Sequence, residues 1–429
     1  MQYDPAMPSP RRAGHSAAAL LLLLSAACGR AERPDEPGAT PAALPGFAAA
    51  QPLVLPVSEP GISPQLIASA RGVTLSWVAP SGDASTLRWS EWNGSAWTAP
   101  ATVTKGANWF LSWADAPSVV RLRTGTLVAN WYETTRSEIE AYDMLLSYST
   151  DDGKTWARPF TPHGDKTETQ HGFASFVDLP DGVGLVWLDG RDMANNTTDP
   201  EGGVMSLRFT RFDRQWKQAA DVEVDRRVCE CCQTAAVVTD DGVVTAFRDR
   251  SDKEMRDIAT SRLENGSWTQ AALVHADNYE TFACPVNGPA LSARGRDVAV
   301  AWYTVANETG RSYAAFSRDA GRTWSSPVRL DDGQSLGLVD VALLDDGTAA
   351  ATWVEFANDA RHFRMRRVHP DGRRSDAQDV AASAAGRISG YPRMERFGDG
   401  LLFAWLERGD GQDEGPGGQT LRAARLPLE

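Results

Sequence analysis

GFASFVDLPDGVGLVW, residues 172–187, consists of two short apolar runs set around a Pro-Asp-Gly turn and closed by a tryptophan. Runs of this length on either side of such a turn make an antiparallel hairpin rather than a helix. The pattern occurs six more times: SPQLIASARGVTLSW (63–77), APSVVRLRTGTLVANW (116–131), QTAAVVTDDGVVTAF (233–247), GPALSARGRDVAVAW (288–302), GLVDVALLDDGTAAATW (337–353) and GYPRMERFGDGLLFAW (390–405). The closing aromatics, Trp77, Trp131, Trp187, Phe247, Trp302, Trp353 and Trp405, follow one another at steps of 51 to 60 residues. After each hairpin comes a third strand, such as DMLLSYS (143–149) or RSYAAFS (311–317), then a turn and a fourth strand. A period of about 50 residues built from strands predicts a β-propeller in which each repeat is one blade. The expected fold is all-β, a ring of four-stranded antiparallel blades, seven by the repeat count and six as the alternative.

Such a ring buries its core between neighbouring blades, so 429 residues fit one large domain. The chain is 42% hydrophobic with 15 Trp, enough apolar area for that core. A formal net charge of −13 and a pI near 5.0 argue against nucleic-acid binding, which needs clustered Lys and Arg.

At the N-terminus Arg11 and Arg12 precede AAALLLLLSAA (17–27), too short to span a bilayer and laid out as a secretory signal. Leu24-Ser25-Ala26-Ala27-Cys28 resembles a bacterial lipobox, in which the Cys becomes the acylated first residue. The alternative is ordinary signal cleavage with Cys28 incidental. Gly29 in place of Asp implies, by resemblance to known sorting, the outer membrane of the cell envelope. Residues 1–28 thus read as a lipoprotein signal, 29–58 as a Pro/Ala-rich tether and 59–429 as the propeller. The seventh repeat shows only three strands, ending in LRAARLP (421–427), so Pro52–Val57 is expected to supply the fourth and close the ring. A chain that closes its own ring is expected to be a monomer.

Two repeats carry Ser-x-Asp-x-Gly-x-Thr-Trp between the third and fourth strands: Ser149, Asp151, Gly153, Thr155 and Trp156, and Ser317, Asp319, Gly321, Thr323 and Trp324. Degenerate forms occur at Asn93-Gly94 with Trp97, at Asp213 with Trp216, and at Asn265-Gly266 with Trp268. The chain therefore resembles the sialidase-like Asp-box (BNR repeat) propellers. The motif itself is structural: Asp and Thr satisfy turn backbone groups, Gly permits positive φ and Trp packs between strands. The resemblance implies that a sialidase would use an arginine triad, a Tyr–Glu nucleophile pair and an Asp acid/base, the first arginine lying in an aromatic-Arg-Ile-Pro motif. Here the matching stretch is Ser63-Pro64-Gln65-Leu66, and Arg387-Ile388 is followed by Ser389 in the wrong blade. Sialidases also typically have six blades, so no catalytic residue carries over by motif.

In a propeller the loops leading into each inner strand and those from second to third strand share one face, here called the upper face; the Asp-box turns lie on the other. This rule gathers Arg226, Arg227, Cys229, Glu230, Cys231 and Cys232 before blade 4, Cys284 before blade 5 and His171 before blade 3. Three readings of the four cysteines stay open. In an oxidising compartment they form disulfides, most easily Cys284 with one member of the cluster, because adjacent Cys231 and Cys232 are about 3.8 Å apart at Cα and would be strained. As a soft-metal site they offer thiolates to Cu or Zn, with His171 as a nitrogen ligand. As redox thiols they would be activated by Arg226 and Arg227.

Candidate acids and nucleophiles on the same face are Asp189, Asp192, Asp249, Glu133 and Tyr142, with Tyr132 and Asp252 beside them, and Arg191, Arg248 and Arg250 as anion-gripping groups. Aspartates and arginines in such loops also tie blades together. Trp109, Trp113 and Tyr391 suit either a sugar ring or inter-blade packing. The expected function is an envelope-anchored propeller binding a ligand or soft metal at the cysteine site. An exo-acting, sialidase-like glycoside hydrolase and a scaffold for envelope proteins are the alternatives, a glycan or small molecule being the ligand expected.

Overall fold

The computed structural model describes residues 43–57, 60–193, 203–382, 387–408 and 419–428; the proposed signal and Cys28 lie outside them. Seven antiparallel sheets form. Blade 1 is Ile62–Ala68, Val73–Ser81, Ala84–Trp92 and Ala101–Ala107; blade 2 is Ser118–Arg121, Leu127–Arg136 and Ala141–Ser149; blade 3 is His171–Leu179, Gly182–Asp189, Met205–Asp213 and Val222–Val228. Blade 4 is Ala235–Thr239, Gly242–Arg248, Ile258–Glu264 and a split outer edge, Ser267–Trp268 and Ala272–Leu273; blade 5 is Ala290–Arg294, Asp297–Thr304, Arg311–Ser317 and Val328–Arg329. Blade 6 is Gln334–Leu343, Ala349–Ala357, Ala360–Val368 and Gln378–Ala382, and blade 7 is Arg387–Phe397, Gly400–Arg408 and Gln419–Pro427 with Gln51–Pro52 outermost. The count is seven, not the alternative six. In blade 2 the fourth strand is reduced to a single bridge between Leu146 and Phe160.

The seven hairpin aromatics explain the ring. Each sits on a second strand, is at most 7% exposed, and belongs to the apolar cluster that its blade shares with the preceding blade. Trp187, for example, packs with Val128 and Leu146 of blade 2, and Trp77 of blade 1 with Leu402 and Leu421 of blade 7. A buried indole needs a partner for its N–H, and strand periodicity puts residue i+2 on the same side. Trp131 donates to Glu133 at 3.2 Å, Trp187 to Asp189 at 2.8 Å and Trp353 to Glu355 at 2.8 Å.

The Asp-box turns have the expected geometry. Ser149 Oγ donates to Asp151 Oδ1 at 2.8 Å and accepts the Gly153 N–H at 2.9 Å, while Asp151 accepts the Thr155 N–H and hydroxyl at 2.9 and 2.7 Å. The Ser317–Thr323 turn repeats the set. The Thr155 N–H, followed by its hydroxyl, holds the Asp151 carboxyl down at about 2. Gly153 adopts φ 77°, where a side chain would also strike Trp89.

The ring closes through the N-terminal segment, but the strand is shorter than Pro52–Val57. Gln51 and Pro52 pair with Arg425 and Ala424, and Leu53 N–H bonds Ala423 O at 2.9 Å. Pro56 has no N–H to continue the ladder. Leu53, Leu55 and Val57 instead pack as side chains onto the blade 7–blade 1 core. A chain starting at residue 60 is expected to be about 3 kcal/mol less stable in urea denaturation than one starting at 51, at roughly 1 kcal/mol for each of the three half-buried aliphatic side chains lost.

Candidate functional site

The loop into blade 4 is fixed at both ends. Val228 bridges Asp249, and Cys229 N–H bonds Arg248 O at 2.9 Å. Four residues later Gln233 spans the axis, donating to Ala114 O at 2.7 Å and accepting the Gly288 N–H at 2.9 Å. The short turn between these anchors folds its sulfurs together. Cys229 Sγ lies 3.1 Å from Cys232 Sγ and 3.7 Å from Cys231 Sγ, and all three lie within 4.8 Å of one another. Cys284, from the loop into blade 5, lies beside Cys231. The four thiols are unbridged; Cys229 and Cys232 are buried, Cys231 half-buried and Cys284 exposed.

Two guanidiniums flank the sulfurs. Arg256 Nη1 is 3.4 Å from Cys229 Sγ and 3.0 Å from Glu230, and its Nη2 holds Glu254 at 2.9 Å. Arg248, fully buried, spends its donors on Asn287 O, Arg256 O and Tyr303 O, yet its charge bears on Cys232. Burial opposes ionisation of Cys232, but hydrogen bonds from Cys229 and Cys231, with Arg248 behind them, pull its thiol well below the ordinary value. Burial instead pushes Cys229 up to about 11. The cluster thus favours a thiolate at Cys232 held by its sister thiols. Arg226 and Arg227, the expected activators, are not the groups that do this: Arg227 pairs with Glu254 at 3.1 Å and Asp252 at 3.4 Å. Arg256 was missed because it comes from the loop before the third strand of blade 4, with no motif around it.

Beside the sulfurs, sequence reasoning also missed Asp115, in the loop into blade 2. Its carboxylate accepts the Phe173 N–H at 2.9 Å and the Tyr142 hydroxyl at 3.2 Å, and Tyr132 is a further partner. Burial pushes its pKa up to about 7. A side chain on Gly172 would collide with Asp115 and the Tyr142 ring, so glycine is required there. Asp115 lines an axial cavity of about 230 Å³ together with Asp340, Arg393 and Glu395. Burial raises Asp340 to about 6 and Glu395 to about 8. A second, more apolar cavity of about 540 Å³ opens above, walled by Leu111, Trp113, Leu336 and Tyr391. Trp113, 51% exposed, stacks on Tyr391 at 6.0 Å, whereas Trp109 stacks on Trp131 inside the blade 1–blade 2 core.

Other expected site residues are committed elsewhere. His171 does not join the sulfurs: its ring stacks on His163 and faces Asp143, Asp165 and Asp189. Asp189 is no solvent-facing acid; it is fully buried and accepts from the Trp187 indole and from Arg191 at 2.7 and 2.6 Å. Glu133 likewise serves Trp131. Arg191 is spent on Asp189 and Asp221, and Arg250 on Glu254 and Glu230, so neither points at a ligand. Tyr142 is buried against Asp115. Asp249, half-buried, is raised to about 6 by burial and then by Asp225, and bridges Val228; Asp192 is half-buried just after the second strand of blade 3.

No family model and no curated protein matches this sequence. Among solved structures, a protein of unknown function from Dyadobacter fermentans is similar, with a TM-score of 0.51 at 14% identity over 90% of this chain and 100% of that one. Polysaccharide lyase Uly1 has a TM-score of 0.50 at 9% identity, over 85% of this chain and 89% of its own. Hadza microbial sialidase Hz136 has a TM-score of 0.45 at 11% identity, over 83% and 77%. The first two likenesses bear on the fold alone.

Asp115 gives the site a pH signature. Its folded pKa, about 7, lies above the ordinary 3.8, so the folded state keeps a proton that the unfolded chain has released. Its contribution to stability is complete below the unfolded value and is lost as pH rises through about 7. Denaturation midpoints of the wild type are expected to fall between pH 4 and 7, and Asp115→Asn, which keeps the shape without the charge, to flatten that fall.

Proposed function

We propose that this chain is a metal-binding propeller of the bacterial cell envelope whose upper face holds one soft ion, Cu(I) or Zn(II), among Cys229, Cys231, Cys232 and Cys284. The observation that carries this reading is the three-sulfur cluster with the fourth thiol beside it. A tetrahedral thiolate site with bonds of about 2.3 Å has sulfur–sulfur edges of about 3.8 Å, and the Cys229–Cys231 separation of 3.7 Å matches that edge. Several thiolates in one buried place repel one another. The guanidiniums of Arg248 and Arg256 offset that charge in part, and a cation would complete the compensation. Membership among the Asp-box propellers is supported by the two complete turns, and anchoring at Cys28 by the lipobox-like sequence.

A second reading follows from the pairing of sulfurs. Cys229 and Cys232, 3.1 Å apart, would need to approach by about 1 Å to close as a disulfide, and Cys231 has Cys284 beside it for a second. The glycoside hydrolase reading draws nothing from Asp189 or Glu133, which hold indoles.

Protein purified anaerobically under reductant is expected to take up one equivalent of Cu(I) from a buffered chelator, with its reactive thiols protected on loading. Cys232→Ser should weaken uptake roughly 100-fold, since it removes a ligand outright where losing a supporting contact already costs about 10–100-fold. Four reactive thiols and no uptake would exclude the metal site. Thiols that appear only after reduction, in protein free of metal, would establish the disulfides instead.

A further inference from the structure

A second group of ligand atoms lies between blades 2 and 3. His171 opens the inner strand of blade 3 and is fully buried; His163, 6% exposed, comes from the preceding loop. Their rings stack at 3.8 Å with an interplanar angle of 4°. On one side His163 Nε2 and His171 Nδ1 are each 3.8 Å from Asp143 Oδ1. On the other, His171 Nε2 is 3.2 Å and His163 Nδ1 3.7 Å from Asp165 Oδ2. Despite these distances, neither nitrogen of His171, nor His163 Nε2, nor Asp165 Oδ2 has an aligned hydrogen bond. Buried polar atoms are normally paired, and on the Asp143 side two of these nitrogens, His163 Nε2 and His171 Nδ1, face one carboxylate oxygen.

The structure assigns to Asp143, His163 and His171 a binding site for a borderline divalent cation, of the Zn(II), Fe(II) or Mn(II) class. Two imidazoles and one carboxylate are the donor set such ions take, with coordination positions left over for water. The chain has built the supporting contacts as well. Asp165 faces the remaining nitrogen of each ring, the position from which a carboxylate orients a ligating imidazole. Thr167 in turn fixes Asp165, its N–H bonding at 2.9 Å and its hydroxyl at 2.5 Å. Asp189 faces His171 Nε2 at 3.8 Å but is occupied by Arg191 and Trp187, so it is left out of the ligand set. The Asp143 side chain is 33% exposed, which gives the ion a route in. Glu133 lies across the strand pair from Asp143 and adds negative charge at the opening.

One feature of the geometry sets a requirement. A nitrogen lone pair lies in its ring plane, so one ion cannot sit in both planes of a parallel stack. Loading must therefore tilt one imidazole, and His163 has the room, because it lines a cavity of about 520 Å³ while His171 is enclosed.

The test uses the full chain and Mn(II), which prefers oxygen and nitrogen donors to thiolates, with bound ion read by electron paramagnetic resonance and Zn(II) as competitor. Wild type is expected to hold one Mn(II) that Zn(II) displaces. Asp143→Asn, on the exposed side chain, and His163→Gln, on the loop, should each weaken it roughly 100-fold, and Asp165→Asn about 10-fold. Cys231→Ser should leave it unchanged, which separates this site from the sulfurs. No bound Mn(II) or Zn(II) outside the cysteine cluster would overturn the proposal, and so would wild-type binding in both Asp143→Asn and His163→Gln. A Zn(II)-soaked crystal should show the His163 ring turned out of its stack; an intact stack with an ion bound elsewhere also overturns it.

Discussion

The ring rests on one repeated interaction, a buried aromatic side chain on the second strand of each blade that packs against the blade before it. Each is at most 7% exposed, and each anchors a separate apolar cluster. Truncating such a side chain costs on the order of 3–5 kcal/mol, so adjacent blades are coupled through single residues as well as through area. An indole also brings an N–H into the core, and at three of the seven positions an acidic side chain accepts it. Glu133, Asp189 and Glu355 stand two residues beyond their tryptophans because the strand repeat places them within reach of that group.

Architecture was legible because its determinants are local. The hairpin turns, the aromatic spacing and the Asp-box bonds each lie within a few residues, and their geometry is as the residue types dictate. The gathering of the cysteines was legible for a different reason: topology alone sorts loops to a face, and four thiols are conspicuous. Partner choice within that face was not legible. His171 and the sulfurs share the face, yet His171 is inserted between strands beside Asp143 and His163, a placement decided by packing across a blade boundary. Asp115 sat in a loop with no motif and acquires its raised pKa only from burial. Asp189 and Glu133 look like catalytic acids in a list of loop residues; three-dimensional contacts show them to be acceptors for tryptophan.

Polar groups are distributed unevenly around the axis. Asp115, Asp340, Arg393 and Glu395 line the inner cavity, where each apolar blade contributes only its first strand and cannot fill the middle. The sulfur cluster and the histidine pair lie farther out, in adjacent blade junctions, each next to arginine and carboxylate networks. Buried charge of this kind costs folding energy unless it is paired. It is found at other junctions too: Arg121 pairs with Glu91 between blades 1 and 2, and Glu355 and Arg366 are buried in blade 6.

Ring closure by the N-terminal segment also gives the molecule a direction. An outermost strand runs from the Asp-box face toward the upper face, and Gln51–Pro52 takes that place in blade 7. The residues before it lie on the Asp-box side: Leu44 N–H bonds Arg374 O in the turn after the third strand of blade 6, and Phe47 N–H bonds Gln378. The described chain therefore enters the ring on the face opposite the cysteines.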